Sequence, residues 1–157
     1  MSGLSKRPVS ALAYRSGVRA SASFAVSDWT PTEKPEQVGD APMIATGSSF
    51  GLAHMVKTFE GDLTGRSITW FLGCLNEQTG AGAYAALEAV EGSLHGRRGT
   101  FNIVHAASTH GTDRYDEHFT VVPGSGTEEL SGISGRGTLV VEGDGTHRIE
   151  LDYSLGE

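Results

Sequence analysis

A two-residue alternation begins at Ala20 and returns in segment after segment, each stopped by glycine, and it constrains this chain more than any other feature. Ala22, Phe24 and Val26 alternate with Ser21, Ser23, Ala25 and Ser27 in a first strand ending near Trp29. Phe50, Leu52, His54, Val56 and Thr58 then alternate with Gly51, Ala53, Met55, Lys57 and Phe59 in a second. Gly65–Leu75 reads as a third, and Tyr84–His105 as a fourth and fifth joined by a Gly-rich turn around Gly92, Gly96 and Gly99. Asp116–Val122, Gly137–Glu142 and Thr146–Leu155 follow, the last two linked by Gly143-Asp144-Gly145. Period-two segments bounded by Gly and Asp are the mark of strands and hairpins. Pro31, Pro35 and Pro42 make Thr30–Pro42 a loop. Ala83–Ala89 is the nearest approach to a helix, and its glycine neighbours and strand context set it in the fourth strand.

An internal repeat supports the strand count. Gly61-Asp-Leu63-Thr-Gly65-Arg66, Gly92-Ser-Leu94-His-Gly96-Arg97 and Glu128-Glu-Leu130-Ser-Gly132-Ile133 share an x-x-Leu-x-Gly-x form. Each lies at a connection between strands. The expected structure is a recurrent turn in which the Leu plugs one end of a core and the Gly adopts a positive φ. Eight strands with hairpin connections predict an all-β fold, an eight-stranded antiparallel β-barrel. A barrel of that size is either filled by side chains or holds one small ligand. Ala83, Ala85, Ala86, Ala89, Ala106 and Ala107 leave room inside whichever parity turns inward, so a central cavity is expected.

Composition narrows the function classes. The chain has 157 residues, enough for one domain, and the reading assigns residues 1–19 to a flexible basic arm and 20–157 to the barrel. A net charge of −7 offers no basic surplus for nucleic acid. The lone Cys74 cannot form an intrachain disulfide. No run approaches the roughly 20 apolar residues of a membrane-spanning helix, and the start lacks the apolar stretch of a secretory signal. No membrane partner and a cytoplasmic location are therefore expected. The acid-free arm, with Lys6, Arg7, Arg15 and Arg19, suits packing on a second subunit, so a homo-oligomer is expected.

Three motifs fail on context. Gly47-Ser-Ser49-Phe-Gly51 has the G-x-S-x-G form, but a strand follows it where a nucleophile elbow needs a helix. Gly124–Thr127 and Gly132–Gly137 are glycine-rich without a following helix to hold phosphate. The six histidines show no paired spacing of zinc ligands, so no metal and no cofactor are expected. What remains is Glu88 and His105, two groups able to move protons that sit within strands among apolar neighbours. Pattern alone leaves open which parity of the fourth strand faces inward, because both are apolar.

The combined motifs resemble those of a bacterial domain-of-unknown-function family related to the allene oxide cyclase barrels. They are Phe59-Glu-Gly-Asp-Leu63-Thr-Gly65, Tyr84-x-x-x-Glu88, Glu91-Gly92, Gly96-Arg-x-Gly99-x-Phe101-x-x-x-His105, Val122-Pro-Gly-Ser125-Gly126-Thr127-x-x-Leu130-x-Gly132, and His147 with Tyr153. The resemblance covers about Ala20 to Leu155. It implies an allene oxide cyclase-like or lipocalin-like barrel, often oligomeric, whose cavity Tyr84, Glu88, Phe101 and His105 would line. It implies no settled reaction, although related barrels include cyclases and isomerases. Trp70-Phe71 and the Ala-rich fourth strand depart from the family pattern and would reshape the pocket.

The function expected from these observations is a cofactor-independent cyclase or isomerase acting on a small, mainly apolar metabolite. Glu88 and His105 are the catalytic candidates, Glu88 as acid or base and His105 orienting it. His54, Trp70, Tyr84, Phe101, Ile103 and Tyr153 are the substrate-binding candidates. A barrel that binds an apolar ligand without changing it is the alternative, and a solidly packed structural barrel the third possibility.

Overall fold

A computed structural model describes residues 17–34 and 36–156 of the chain. Its strands are β1 (Val18–Thr32), β2 (Gln37–Val38), β3 (Ala41–Pro42), β4 (Ser49–Gly61), β5 (Leu63–Leu75), β6 (Gly82–Leu94), β7 (Arg97–Thr109), β8 (Tyr115–Val121), β9 (Ser134–Val141) and β10 (His147–Ser154). All but β2 and β3 close into one antiparallel barrel in the order β1-β10-β9-β8-β7-β6-β5-β4. The eight-stranded barrel expected from the alternation is the fold observed.

The differences are local. The first strand runs from Val18 to Thr32, so the barrel takes in Val18 and Arg19. Residues 1–16 of the expected arm lie outside the described residues. The Thr30–Pro42 loop contains the small β2–β3 pair, whose register joins Gln37 to Pro42. Ala83–Ala89 is strand, as the glycines around it require. β9 starts at Ser134, three residues before the glycine taken as its beginning.

The repeat marks the closed end. Leu63, Leu94 and Leu130 are buried to within 2% of completely, in one cluster with Phe101, Ile103, Val90 and Ile133. Gly65, Gly96 and Gly132 have φ of 138°, 80° and 75°, in the region that favours glycine. The Leu plugs and the short 3-10 turn Glu128–Leu130 therefore seal one mouth. Each buried Leu contributes roughly 1.5–3 kcal/mol relative to an exposed one.

Cross-strand register settles the parity that the sequence left open. In β6, Tyr84, Ala86, Glu88 and Val90 point inward, while Ala85, Leu87 and Ala89 are exposed on the outer face. β4 to β7 are long and fully laddered. The opposite side is thin, because β8 and β9 share a single ladder pair, Thr120 with Arg136.

Candidate active site

The barrel is packed at the end sealed by the leucines and open at the other. The open half holds a cavity of about 420 Å³, within the roughly 300–1,000 Å³ range of small-molecule pockets. Its wall is a contiguous run of rings. Trp29 lies 5.4 Å from Phe71, Phe71 5.1 Å from Tyr84, and Tyr84 5.4 Å from His105, between centroids, and His105 in turn packs 5.3 Å from Phe119 of the buried core. Trp29 reaches this wall because β1 carries an extra residue between Ser27 and Thr30, where Asp28 has a φ of 54°. A bulge inverts the alternation beyond it and re-aims the next side chain.

The polar groups come from three strands. Lys57 on β4 and Ser67 on β5 are cross-strand partners, and Glu88 on β6 lies opposite Thr69 on β5. The Lys57 Nζ donates to Glu88 Oε2 at 2.7 Å, and the Ser67 Oγ donates to Oε1 at 2.5 Å. Both charged groups are buried. Burying either alone costs several kcal/mol, so the pair depends on mutual compensation. The same ammonium lies 4.9 Å over the Phe24 ring. Thr69 is 1% exposed, lines the cavity, and has no hydrogen-bond partner for its hydroxyl.

His105 on β7 also lines the cavity, with its Nε2 3.0 Å from Glu117 Oε2 on β8. Burial pushes the imidazole below its usual 6.5, while the hydrogen bond and charge of Glu117 act in the opposite sense. A neutral ring that donates from Nε2 to the carboxylate keeps a lone pair on Nδ1. Glu117 accepts further bonds from the Thr138 hydroxyl and, at 3.4 Å, from the Leu139 amide. At the mouth, the Arg114 Nε donates to the Tyr84 hydroxyl at 2.9 Å. Burial raises the Tyr84 pKa, with Arg114 opposing.

The structure thus divides the residues singled out from the sequence. Tyr84 and His105 line the cavity, and Glu88 is buried beside it through Lys57, a cavity residue. The expected link between Glu88 and His105 is replaced by two separate pairs, Lys57 with Glu88 and Glu117 with His105. Phe101 and Ile103 belong to the packed half. Tyr153 also packs there, with its hydroxyl 2.8 Å from His95 Nδ1. His54 and Trp70 turn to the outer face, where their tilted rings lie 5.3 Å apart between centroids and Trp70 is 59% exposed. They occupy the parity opposite to Met55 and Thr69, whose side chains face the cavity.

Lys57, Thr69, Glu117 and Trp29 are site residues that sequence reasoning passed over, while Phe71, singled out with Trp70 for its bulk, does line the cavity. A signal existed for Lys57, a lone cation on the parity of Ala53, Met55 and Phe59. None existed for Trp29, whose facing depends on the bulge. Among the described residues, no group of three or more His, Cys, Asp or Glu is placed to share a metal ion. The G-x-S-x-G segment runs into β4 at Ser49.

A family model described as "Protein of unknown function (DUF3224)" matches residues 20–153. Among solved structures, the chain is similar to a protein of unknown function from the DUF3224 family of Shewanella oneidensis. The two share 31% identity over 90% of this chain and 99% of that one, with a TM-score of 0.74. No curated protein matches the chain.

Proposed function

The chain belongs to the DUF3224 family, and from that premise and the open half of its barrel we propose a cofactor-independent isomerase or cyclase for a small, mainly apolar metabolite. The observation that carries the proposal is His105, oriented by Glu117 and lining a one-ended cavity beside the Lys57–Glu88 pair. A neutral imidazole in apolar surroundings takes and returns a proton without a cofactor. Lys57 supplies positive charge where negative charge develops, and Glu88 holds Lys57 in place. The role of base thus passes from Glu88 to His105, since both Glu88 oxygens are engaged. The ring wall restricts the substrate to a reactive pose. A kinship with allene oxide cyclase-like barrels belongs to this same proposal.

A second reading, binding without chemical change, is favoured by the mainly apolar lining from Phe24 and Val26 to Leu139 and Val141. One experiment separates the two. Native mass spectrometry of the purified protein identifies a retained small molecule, which is then incubated with the protein in D2O. The isomerase predicts deuterium uptake with the wild type and its loss in His105→Gln. Release of the molecule unchanged and without deuterium selects the binding reading.

The proposal places the protein in the cytoplasm as a homo-oligomer. Ile68, Trp70, Leu72 and Leu87 form an exposed apolar strip on the outer face of β5 and β6, suited to a second copy. Analytical ultracentrifugation of the wild type and Trp70→Glu tests it, with a monomeric wild type counting against it.

A further inference from the structure

The cavity's polar groups specify the charge of what it holds. Thr69 is almost completely buried at the cavity wall, and neither its donor nor its acceptor is used. A buried hydroxyl left in that condition is unfavourable, and an oxygen on a ligand relieves it. Lys57 also lines the cavity, and its ammonium gives one of three possible hydrogen bonds to Glu88. A carbonyl oxygen has two lone pairs and accepts from both donors.

Charge decides between a neutral and an anionic head. The Lys57 cation is balanced by Glu88, and Glu117 adds a further carboxylate beside His105. Protonating His105 would bring that sum only to zero. At the mouth, Arg114 donates to the Tyr84 hydroxyl and stands next in the chain to Asp113, whose carboxylate is held by His110, and His147 adds a ring next to Phe24. A carboxylate pushed to Thr69 would therefore be a buried anion with no uncompensated cation to meet it. A neutral oxygen carries no such penalty.

We infer that the cavity takes an uncharged oxo compound, a ketone, enone or aldehyde, with its carbonyl oxygen against Thr69 and Lys57 and its apolar remainder along the Trp29–Phe71–Tyr84 wall. The inference rests on the reading of the cavity as a ligand site and names the class of that ligand.

The test uses 2-decanone and decanoate, matched in chain length, titrated at pH 8 into a Trp70→Phe protein in which Trp29 reports on the cavity. The ketone is expected to bind about tenfold or more tightly than the acid. Thr69→Val is expected to weaken ketone binding about tenfold while raising the melting temperature, because it removes a buried hydroxyl without a partner. A purely structural threonine would lower the melting temperature instead. Thr69→Ser keeps the hydroxyl and is expected to keep the affinity. Decanoate binding as tightly as the ketone, or Thr69→Val leaving ketone affinity unchanged, overturns the inference and leaves the ligand site standing. Binding of neither probe overturns both.

Discussion

Glu117 ties His105 to the weakest seam of the barrel. Its carboxylate lies 3.0 Å from the imidazole on one side. On the other it accepts from Thr138 and Leu139 on β9, where β8 and β9 have only one ladder pair. A side chain therefore does there what backbone pairing does elsewhere in the sheet, and the candidate base depends on the same group.

Replacing Glu117 with Gln keeps the shape and turns one acceptor into a donor. The new amide can donate to the Thr138 hydroxyl while its oxygen accepts from His105 and Leu139, so the bonds persist as weaker neutral ones, for a cost of about 1 kcal/mol in urea unfolding. The His105 pKa is expected to fall further, because both influences that raise it come from Glu117. An unchanged His105 titration by NMR would show that the two residues are not coupled.

Stability should depend on pH through His105. Its folded pKa lies below its unfolded value of 6.5, so the unfolded chain binds the proton more readily. The His105 contribution is complete above about pH 6.5 and is lost as the pH falls toward the folded value. Urea unfolding between pH 7.5 and 5.5 should show this decline for the wild type and a shallower one for His105→Phe. Equal slopes would assign the decline to other groups.

Lys57 and Glu88 should behave as a unit. Lys57→Met and Glu88→Leu each leave one buried charge without its partner, an expected loss of about 3–5 kcal/mol. The double variant removes both charges and is expected to regain most of that loss. Additive losses in the double-mutant cycle would mean that the pair is not compensating.

Two glycines with positive φ should respond differently to Ala. At Gly96 a Cβ has nothing within 4 Å, so the cost is that of the backbone conformation, about 1–2 kcal/mol. At Gly65 the Cβ would stand 2.2 Å from the Glu91 carbonyl oxygen and 2.7 Å from the Gly92 Cα, which are backbone atoms. Gly65→Ala should therefore lower the melting temperature well beyond Gly96→Ala. Similar melting temperatures would contradict the close approach of β5 to β6.

Much of the fold was legible because its signals are local. Alternation around Phe24, Met55 and Phe59 reports strands, and Leu63, Leu94 and Leu130 with their glycines report the turns that seal one end. The site was legible only in part. His105 stood out as a polar side chain within an apolar strand, and it does line the cavity. His54 stood out for the same reason, and Trp70 as a bulky departure from the family pattern, yet both face outward. An outer face as apolar as Ile68, Leu72 and Leu87 hides the usual contrast between inside and outside.

The sequence by itself determined that this chain forms strands, how many of them to expect, and that the repeated leucines plug an end of the core, since each follows from neighbours within a few residues. Only the tertiary structure decided which parity faces inward and who partners whom. Glu88 meets Lys57 across 31 residues of chain and His105 meets Glu117 across 12. Those meetings depend on register, and the cavity position of Trp29 depends on the inserted residue in β1. A one-residue slip sends every side chain to the opposite face. Local preference specifies a strand without specifying its register, so the site came into being only when the barrel closed.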